Sequence, residues 1–108
     1  PVHGMGYCLT YFHGVPHGRA NGLLLPAFLR VCLRKDEART APVFAALGMG
    51  PAEFSDRIAA LLGARETYDD ATLHDYARRA AANKNVRNCA VLMEEGDLYG
   101  VFRSSVGA

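Results

Sequence analysis

Residues 16–34 read PHGRANGLLLPAFLRVCLR, and this stretch decides the fold. Apolar side chains would occur on every side of a helix formed by residues 23–33, a pattern that is typical of a deeply buried helix. Pro16 favours a start near His17, and we expect the helix to continue to about residue 34. Pro26 lies inside this span, so the sequence predicts a kink there. We therefore expect an all-α domain with this helix in its core.

The rest of the chain also has helical rather than alternating apolar patterns. A cap at Thr40 followed by Pro42 predicts a short helix that ends near Gly48. Pro51 is expected to open another helix that Gly63 ends. Further helices are predicted for residues 2–11, for the segment up to residue 80 after a cap at residues 69–72, and for a short segment that follows residues 94 and 95 and continues through residue 102. The amide-rich segment 83–88 is predicted to be a loop. The prediction is a compact bundle of about five to seven helices with short connections.

Chain length, net charge and cysteine content limit the classes of protein to which the chain can belong. The 108 residues allow one domain, residues 1–108, and a net charge of +1 provides no field that would attract nucleic acid or anionic lipid. No apolar run approaches the roughly 20 residues of a membrane span. The three cysteines, Cys8, Cys32 and Cys89, are odd in number and widely spaced, which favours small core residues and a reducing, cytoplasmic location over a disulfide framework. We expect neither a nucleic-acid partner nor a membrane.

The main chemical signal is a pair of histidines. His3 and His17 are two of the four histidines in the chain, and each stands beside a glycine, Gly4 and Gly18. A helix, a turn at residues 14–16 and a returning helix would bring the two imidazoles together. Neutral imidazole is a common ligand of transition metals, and adjacent glycines would keep bulk away from an ion or a cofactor. Spacing alone leaves open that both are ordinary surface or core histidines.

The residues around this pair resemble the metal-binding segment of the iron-containing (group III) alcohol dehydrogenases. In that family, a His-Ala/Gly-Met pattern is followed at this separation by Pro-His-Gly-x-Ala-Asn/Ala and an apolar run ending in proline. The chain has HGM at residues 3–5, PHGRAN at 16–21 and LLLP at 23–26. The similarity continues at residues 45–48, 83–89 and 94–99, with Cys89 where the family usually has proline. The resemblance therefore covers almost the whole chain.

The resemblance implies an N-terminal nucleotide-binding domain and a C-terminal helical domain of the dehydroquinate synthase-like type. It also implies NAD or NADP as cofactor and a divalent ion, Fe²⁺ or Zn²⁺, held by one aspartate and three histidines. His3 and His17 match the last two of those histidines. Nothing in the chain matches the aspartate, the first histidine or a Gly-rich nucleotide-binding motif. The chain begins at Pro1 rather than methionine, so we expect the nucleotide-binding domain to be absent from it and to be its partner.

Tyr7 occupies the place where many relatives carry a further histidine with a proton-handling role. A phenol can hydrogen-bond a hydroxyl substrate but is a poor base near neutral pH. Tyr7 is thus a candidate catalytic residue, and a half-buried packing residue is the alternative.

Two functions remain open at this point. The first is that the chain is the C-terminal portion of a metal-dependent, NAD(P)-linked alcohol dehydrogenase and is inactive in isolation. Alternatively, it is a non-catalytic truncated helical module that self-associates as a homo-oligomer or packs on a partner.

The other polar and aromatic residues are expected to have structural roles. His13 is assigned to a connector, facing solvent or capping a turn, and His74 to an exposed helix face. The acidic residues 94, 95 and 97 are assigned to a helix start, where the dipole favours negative charge. Six aromatic residues are predicted to occupy core positions rather than a cofactor site: Tyr11, Phe12, Phe28, Phe44, Phe54 and Phe102.

Overall fold

Helices make up most of the protein. The computed structural model describes residues 2–108, except for the side chain of Asn85; Pro1, the first residue of the predicted domain, lies outside the described residues. The helices are α1 (Val2–His13), α2 (His17–Lys35), α3 (Glu37–Leu47), α4 (Pro51–Leu62), α5 (Asp70–Ala81), α6 (Lys84–Arg87) and α7 (Glu95–Val106). Over residues 2–108 the only extended pairing is a single parallel bridge between Tyr68 and Gly107. The predicted all-α fold is confirmed.

Helix α2 lies at the centre of the fold and packs against α1, α3, α4 and α7. Its buried side chains include Leu24, Phe28 and Val31, as its apolar sequence predicts. Pro26 does lie inside the helix, and the kink stays a prediction. Helix α5 packs mainly on α7 and closes the core from the other side. The largest fully enclosed side chains of this core are Met5, Leu9, Leu24, Leu73, Leu98, Val101, Phe102 and Val106.

Several helix ends fall where the sequence places them. Pro51 is the first residue of α4, and Gly63, with φ of +72°, follows its last residue. The Asp69 carboxylate accepts a hydrogen bond of 2.9 Å from the backbone N–H of Thr72, so Asp69 is the N-cap of α5. Gly48, with φ of +70°, ends α3 in the left-handed conformation that glycine adopts without strain.

Two predicted segments are wrong. Helix α3 begins at Glu37 rather than after Thr40, because the Asp36 carboxylate caps it by accepting a 3.1 Å hydrogen bond from the N–H of Arg39. Thr40 is instead a buried residue of that helix. Residues 84–87 form a helical turn, α6, where the sequence predicts a loop. The apolar Val86 explains this turn, since it is buried against α1.

The core assignment is also wrong for two of the six aromatic residues. Phe28, Phe44 and Phe102 are buried and Phe54 is half-buried. Tyr11 and Phe12 are exposed. Tyr11 continues the exposed face of α1 that carries Tyr7, and Phe12 stacks on Tyr76 at the surface. None of the helices in residues 2–108 is long and apolar enough to cross a membrane.

Candidate metal centre

A tight turn between α1 and α2 places His3 and His17 near each other. Gly14 ends α1 with φ of +68°, and its N–H donates to the carbonyl of Thr10 over 3.0 Å. Val15 is buried in the turn, and Pro16 directly precedes α2. The two helices therefore run back along each other. His17, at the start of α2, lies opposite Thr10, and His3 lies opposite Asn21, one turn further along α2. The ring of His17 nevertheless reaches the rings of Tyr7 and His3.

The two imidazole rings are close and almost parallel. Their centroids are 5.6 Å apart, with an angle of 28° between the ring planes. Two imidazoles whose nitrogens each lie about 2 Å from one tetrahedral ion have their centroids roughly 5 Å apart. The observed separation is close to this value. Both residues are exposed, so an ion could reach them from solvent.

Tyr7 completes a cluster of three rings. It lies one turn after His3 on the same face of α1, with ring centroids 5.0 Å apart, and its ring centroid is 5.9 Å from that of His17. It also lines a groove of about 350 Å³ between α1 and α5, together with Cys8, Tyr11 and Arg79. The side chain is 39% exposed. A molecule in that groove could contact the phenol next to the two imidazoles.

Each imidazole has one nitrogen engaged by a neutral polar side chain. The Nδ1 atom of His17 lies 3.4 Å from the hydroxyl oxygen of Thr10, and Nδ1 of His3 lies 3.4 Å from the amide nitrogen of Asn21. Neither Thr10 nor Asn21 was predicted from the sequence to contact the histidines. Asn21 follows His17 by one helical turn, and this spacing is the signal that could have identified it.

The glycines beside the histidines differ in their surroundings. A Cβ atom on Gly4 would lie 2.6 Å from the Asn83 side chain and 3.3 Å from that of Val86. Gly4 therefore allows the end of α5 and α6 to approach α1, and the expectation that it leaves room for an ion is wrong. A Cβ atom on Gly18 would meet nothing within 4 Å, so that position faces open space.

Within residues 2–108, no group of three or more His, Cys, Asp and Glu side chains could hold a metal ion together. The pair His3 and His17 is thus a partial donor set. Metal binding by these two residues, and catalysis by Tyr7, stay predictions at this point.

The remaining histidines take part in helix contacts. His13 is the last residue of α1 rather than part of a connector. Although exposed, its ring stacks on Tyr68 with centroids 4.0 Å apart, and its Nε2 lies 2.5 Å from the hydroxyl of Tyr76. His74 is exposed on α5, as predicted, and stacks on Tyr99 of α7 at 4.0 Å.

The acidic residues at the start of α7 also have a structural role. The Asp97 carboxylate accepts a 2.9 Å hydrogen bond from the N–H of Glu94 and pairs with Lys35 at 2.5 Å. Burial works against the charged form of Asp97, but the contact with Lys35 keeps the pKa of this carboxyl below its ordinary value. The first contact caps α7, and the pair with Lys35 links the start of α7 to the end of α2.

The comparison with known families agrees with this geometry. The sequence profile described as Fe-containing alcohol dehydrogenase family, C-terminal, matches residues 1–96, which include both histidines, Tyr7 and the whole α1–α2 hairpin. No curated protein sequence and no solved structure matches the chain. Because the profile covers most of the sequence, the chain belongs to the Fe-containing alcohol dehydrogenase family and carries its C-terminal region.

Proposed function

We propose that this chain supplies part of the metal site of an NAD(P)-linked alcohol dehydrogenase, with His3 and His17 as two of the ligands. The observation that carries the proposal is the 5.6 Å separation of the two rings, in a chain whose family is named for iron. Imidazole nitrogen suits both iron and zinc. A divalent ion bound there acts as a Lewis acid that polarises an alcohol or carbonyl oxygen. The reaction class is oxidation of an alcohol, or reduction of an aldehyde, by hydride exchange with NAD or NADP.

The residues of this chain would hold and orient the reactants. The two imidazoles fix the ion at the start of the hairpin, and the remaining donors come from elsewhere, namely water or the nucleotide-binding domain that the family implies. Tyr7 is placed to hydrogen-bond a substrate hydroxyl beside the imidazoles. In this proposal the three free thiols, Cys8, Cys32 and Cys89, accord with a reducing, cytoplasmic location.

Metal titration of the purified chain tests the proposal. Isothermal calorimetry with Zn²⁺ should give one site per chain, and His3→Ala and His17→Ala should each weaken binding by at least about tenfold, since each removes a ligand. His74→Ala is the matched control, because this histidine is exposed on another helix. If His17→Ala bound Zn²⁺ as tightly as the unmodified chain, the assignment would be wrong.

The catalytic part of the proposal needs the nucleotide-binding domain as well. With that domain supplied and Fe²⁺ or Zn²⁺ added, formation of NADH or NADPH from alcohols should be lost in His3→Ala and His17→Ala and kept in His74→Ala. The variant Tyr7→Phe should lower turnover if the phenol contacts substrate. Unchanged turnover in Tyr7→Phe would make Tyr7 a packing residue.

Exposed apolar side chains favour a second function, a helical module that docks on a partner or on itself. Helix α4 has no fully buried residue, and Leu61 at its end is 80% exposed. Val43 and Leu47 of the neighbouring α3 are also exposed. Large exposed apolar patches mark interaction sites, and these three side chains are the candidates for one.

Sedimentation analysis distinguishes this second function from the first. A docking surface at α3 and α4 predicts metal-independent self-association that Leu61→Asp abolishes and that Thr67→Asp, in an exposed loop, does not affect. A chain that stays monomeric at high concentration and binds one Zn²⁺ would exclude self-association and support the metal site.

A further inference from the structure

We propose that Asn21 and Thr10 are positioning residues that fix the tautomers of His3 and His17, so that both rings keep Nε2 available for one ion. The inference rests on the proposed function, since it concerns how this chain prepares the two ligands. It adds two residues and a defined hydrogen-bonding state to the site.

The chemistry follows from the two nitrogens of neutral imidazole. One carries a hydrogen and the other a lone pair, and only the lone pair can bind a metal. A hydrogen-bond acceptor at Nδ1 holds the hydrogen there and leaves the lone pair on Nε2. Ligating histidines in metalloproteins usually have such an acceptor, and its removal commonly weakens metal binding by about 10- to 100-fold.

Thr10 meets this requirement for His17. Its hydroxyl oxygen lies 3.4 Å from Nδ1 of His17, across the hairpin from α1 to α2. A hydroxyl can accept the hydrogen of Nδ1 through a lone pair. When the hydroxyl accepts in this way, the hydrogen of His17 is on Nδ1 and Nε2 is free to bind an ion. A hydroxyl that donates instead leaves the lone pair on Nδ1, and the tautomer of the Zn²⁺-free chain distinguishes the two.

Asn21 is the more informative residue, because only one end of its side-chain amide has a hydrogen-bond partner. Its nitrogen lies 3.4 Å from Nδ1 of His3, whereas its oxygen is buried and has no hydrogen-bond partner within residues 2–108. If the nitrogen donated to Nδ1, the ring hydrogen would sit on Nε2 and block metal binding. Exchanging the two ends of the amide would let the oxygen accept the hydrogen of Nδ1 and would turn the amide nitrogen towards the buried space beside Gly6. We infer that the metal-binding state has this second orientation.

The packing around Asn21 holds its amide next to His3. A Cβ atom on Gly6 of α1 would lie 2.9 Å from the Asn21 amide oxygen, which is closer than real Cβ contacts. Gly6 thus provides the space that the amide occupies between α1 and α2. This close fit limits the amide to the neighbourhood of the His3 ring.

Histidine side-chain ¹⁵N NMR measures the tautomers directly, in the unmodified chain and in variants. We expect His3 and His17 to carry hydrogen mainly on Nδ1 already in the Zn²⁺-free chain, because Zn²⁺ on Nε2 would itself impose this tautomer. Asn21→Asp, which offers only acceptors, should keep this tautomer of His3 and bind Zn²⁺ at least as tightly as the unmodified chain. Asn21→Ala should mix the tautomers of His3 and weaken Zn²⁺ binding by about 10- to 100-fold. Thr10→Val should do the same for His17.

Matched controls separate a positioning role from a structural one. Asn88→Ala and Thr67→Val remove the same groups at exposed positions and should change neither tautomers nor affinity. Asn21→Asp nearly preserves the size of the side chain, so it stays informative if Asn21→Ala fails to fold.

The outcomes also separate this inference from the proposed function. If His3→Ala and His17→Ala weaken Zn²⁺ binding but Asn21→Ala and Thr10→Val do not, the positioning role is wrong and the ligands stand. Loss of Zn²⁺ binding in Asn21→Asp would equally overturn the role of Asn21 as an acceptor. If His3→Ala and His17→Ala have no effect, the proposed function itself fails.

Discussion

At the scale of single residues, the candidate metal ligands and the thiols differ in their exposure to solvent. The imidazoles of His3 and His17 are exposed and adjacent, whereas the thiols of Cys8 and Cys32 are buried. Burial raises the pKa of the Cys32 thiol to about 11, and the nearby Cys89 contributes to this rise. A buried thiol in this state is a packing residue rather than a nucleophile.

Alkylation rates test this assignment of Cys32. With a pKa of about 11, only about one Cys32 in a thousand is thiolate at pH 8, so iodoacetamide should modify the partly exposed Cys89 much faster. Because the pKa is raised, the rate at Cys32 should still increase as the pH passes 10. Peptide mass spectrometry of the native chain follows both sites. Equal labelling of the two cysteines at pH 8 would contradict the burial of Cys32.

The contact between His13 and Tyr76 makes a second prediction for a single residue. Tyr76 is 4% exposed, and its hydroxyl lies 2.5 Å from Nε2 of His13. Tyr76→Phe removes this hydrogen bond and should lower the free energy of unfolding by about 1 kcal/mol, as measured by urea denaturation. Tyr11→Phe is the control, since the Tyr11 side chain is 82% exposed. Similar stabilities for both variants would show that the contact contributes nothing.

At the level of helices, the most extensive polar contact joins the start of α2 to the segment between α4 and α5. Arg19 donates to both carboxylate oxygens of Glu66, at 2.7–3.1 Å, and to the carbonyls of Leu62 and Ala64. A two-pronged arginine–carboxylate pair of this kind combines strength with defined geometry. Because Arg19 lies two residues after His17, the same contact holds the end of α2 that carries the imidazole.

The Arg19–Glu66 contact should make the fold sensitive to acid. The hydrogen bond from Arg19 holds the pKa of Glu66 below its ordinary value of 4.5. The folded state therefore binds fewer protons than the unfolded state in this range, and stability is lost as the pH falls below about 4.5. Glu66→Gln should reduce the difference in urea midpoint between pH 7 and pH 3.5. If the variant lost as much stability on acidification as the unmodified chain, the coupling would be refuted.

The arginine itself can be tested with a matched variant. Arg19→Met removes all the contacts to the α4–α5 segment and should lower the urea midpoint at pH 7. Arg57→Met removes an exposed pair with Glu53 on α4 and should leave the midpoint nearly unchanged. Equal urea midpoints for Arg19→Met and Arg57→Met would show that the Arg19–Glu66 contact is not stabilising.

Helix boundaries show what the sequence can and cannot predict. Pro51, Gly63 and Asp69 act through local backbone geometry, so their effects can be predicted from the residues alone. The start of α3 could not be predicted in this way, because Asp36 and Thr40 are both good N-cap residues. In the folded chain Thr40 is buried within the helix, and Asp36 is the N-cap. Residues 84–87 are mostly polar, and the contact of Val86 with α1 supports a helical turn that Asn83 caps by accepting from the N–H of Val86.

Across the whole molecule, the fold is organised around α2, which contacts four other helices and begins at His17. Its long apolar sequence made the all-α fold and its central position predictable. The approach of the two imidazoles depends on a helical hairpin, and Gly14 and Pro16 indicate its turn in the sequence. The contributions of Asn21 and Gly6 depend on packing between helices, and spacing along the chain could not reveal them.

The central claim is that His3 and His17 bind one ion together. Crystals of the chain grown with Zn²⁺ and measured at the zinc absorption edge test it most directly. If the two imidazoles share an ion, one anomalous peak is expected at about 2 Å from Nε2 of both rings. Rings that point away from each other, or zinc bound to only one of them, would contradict it.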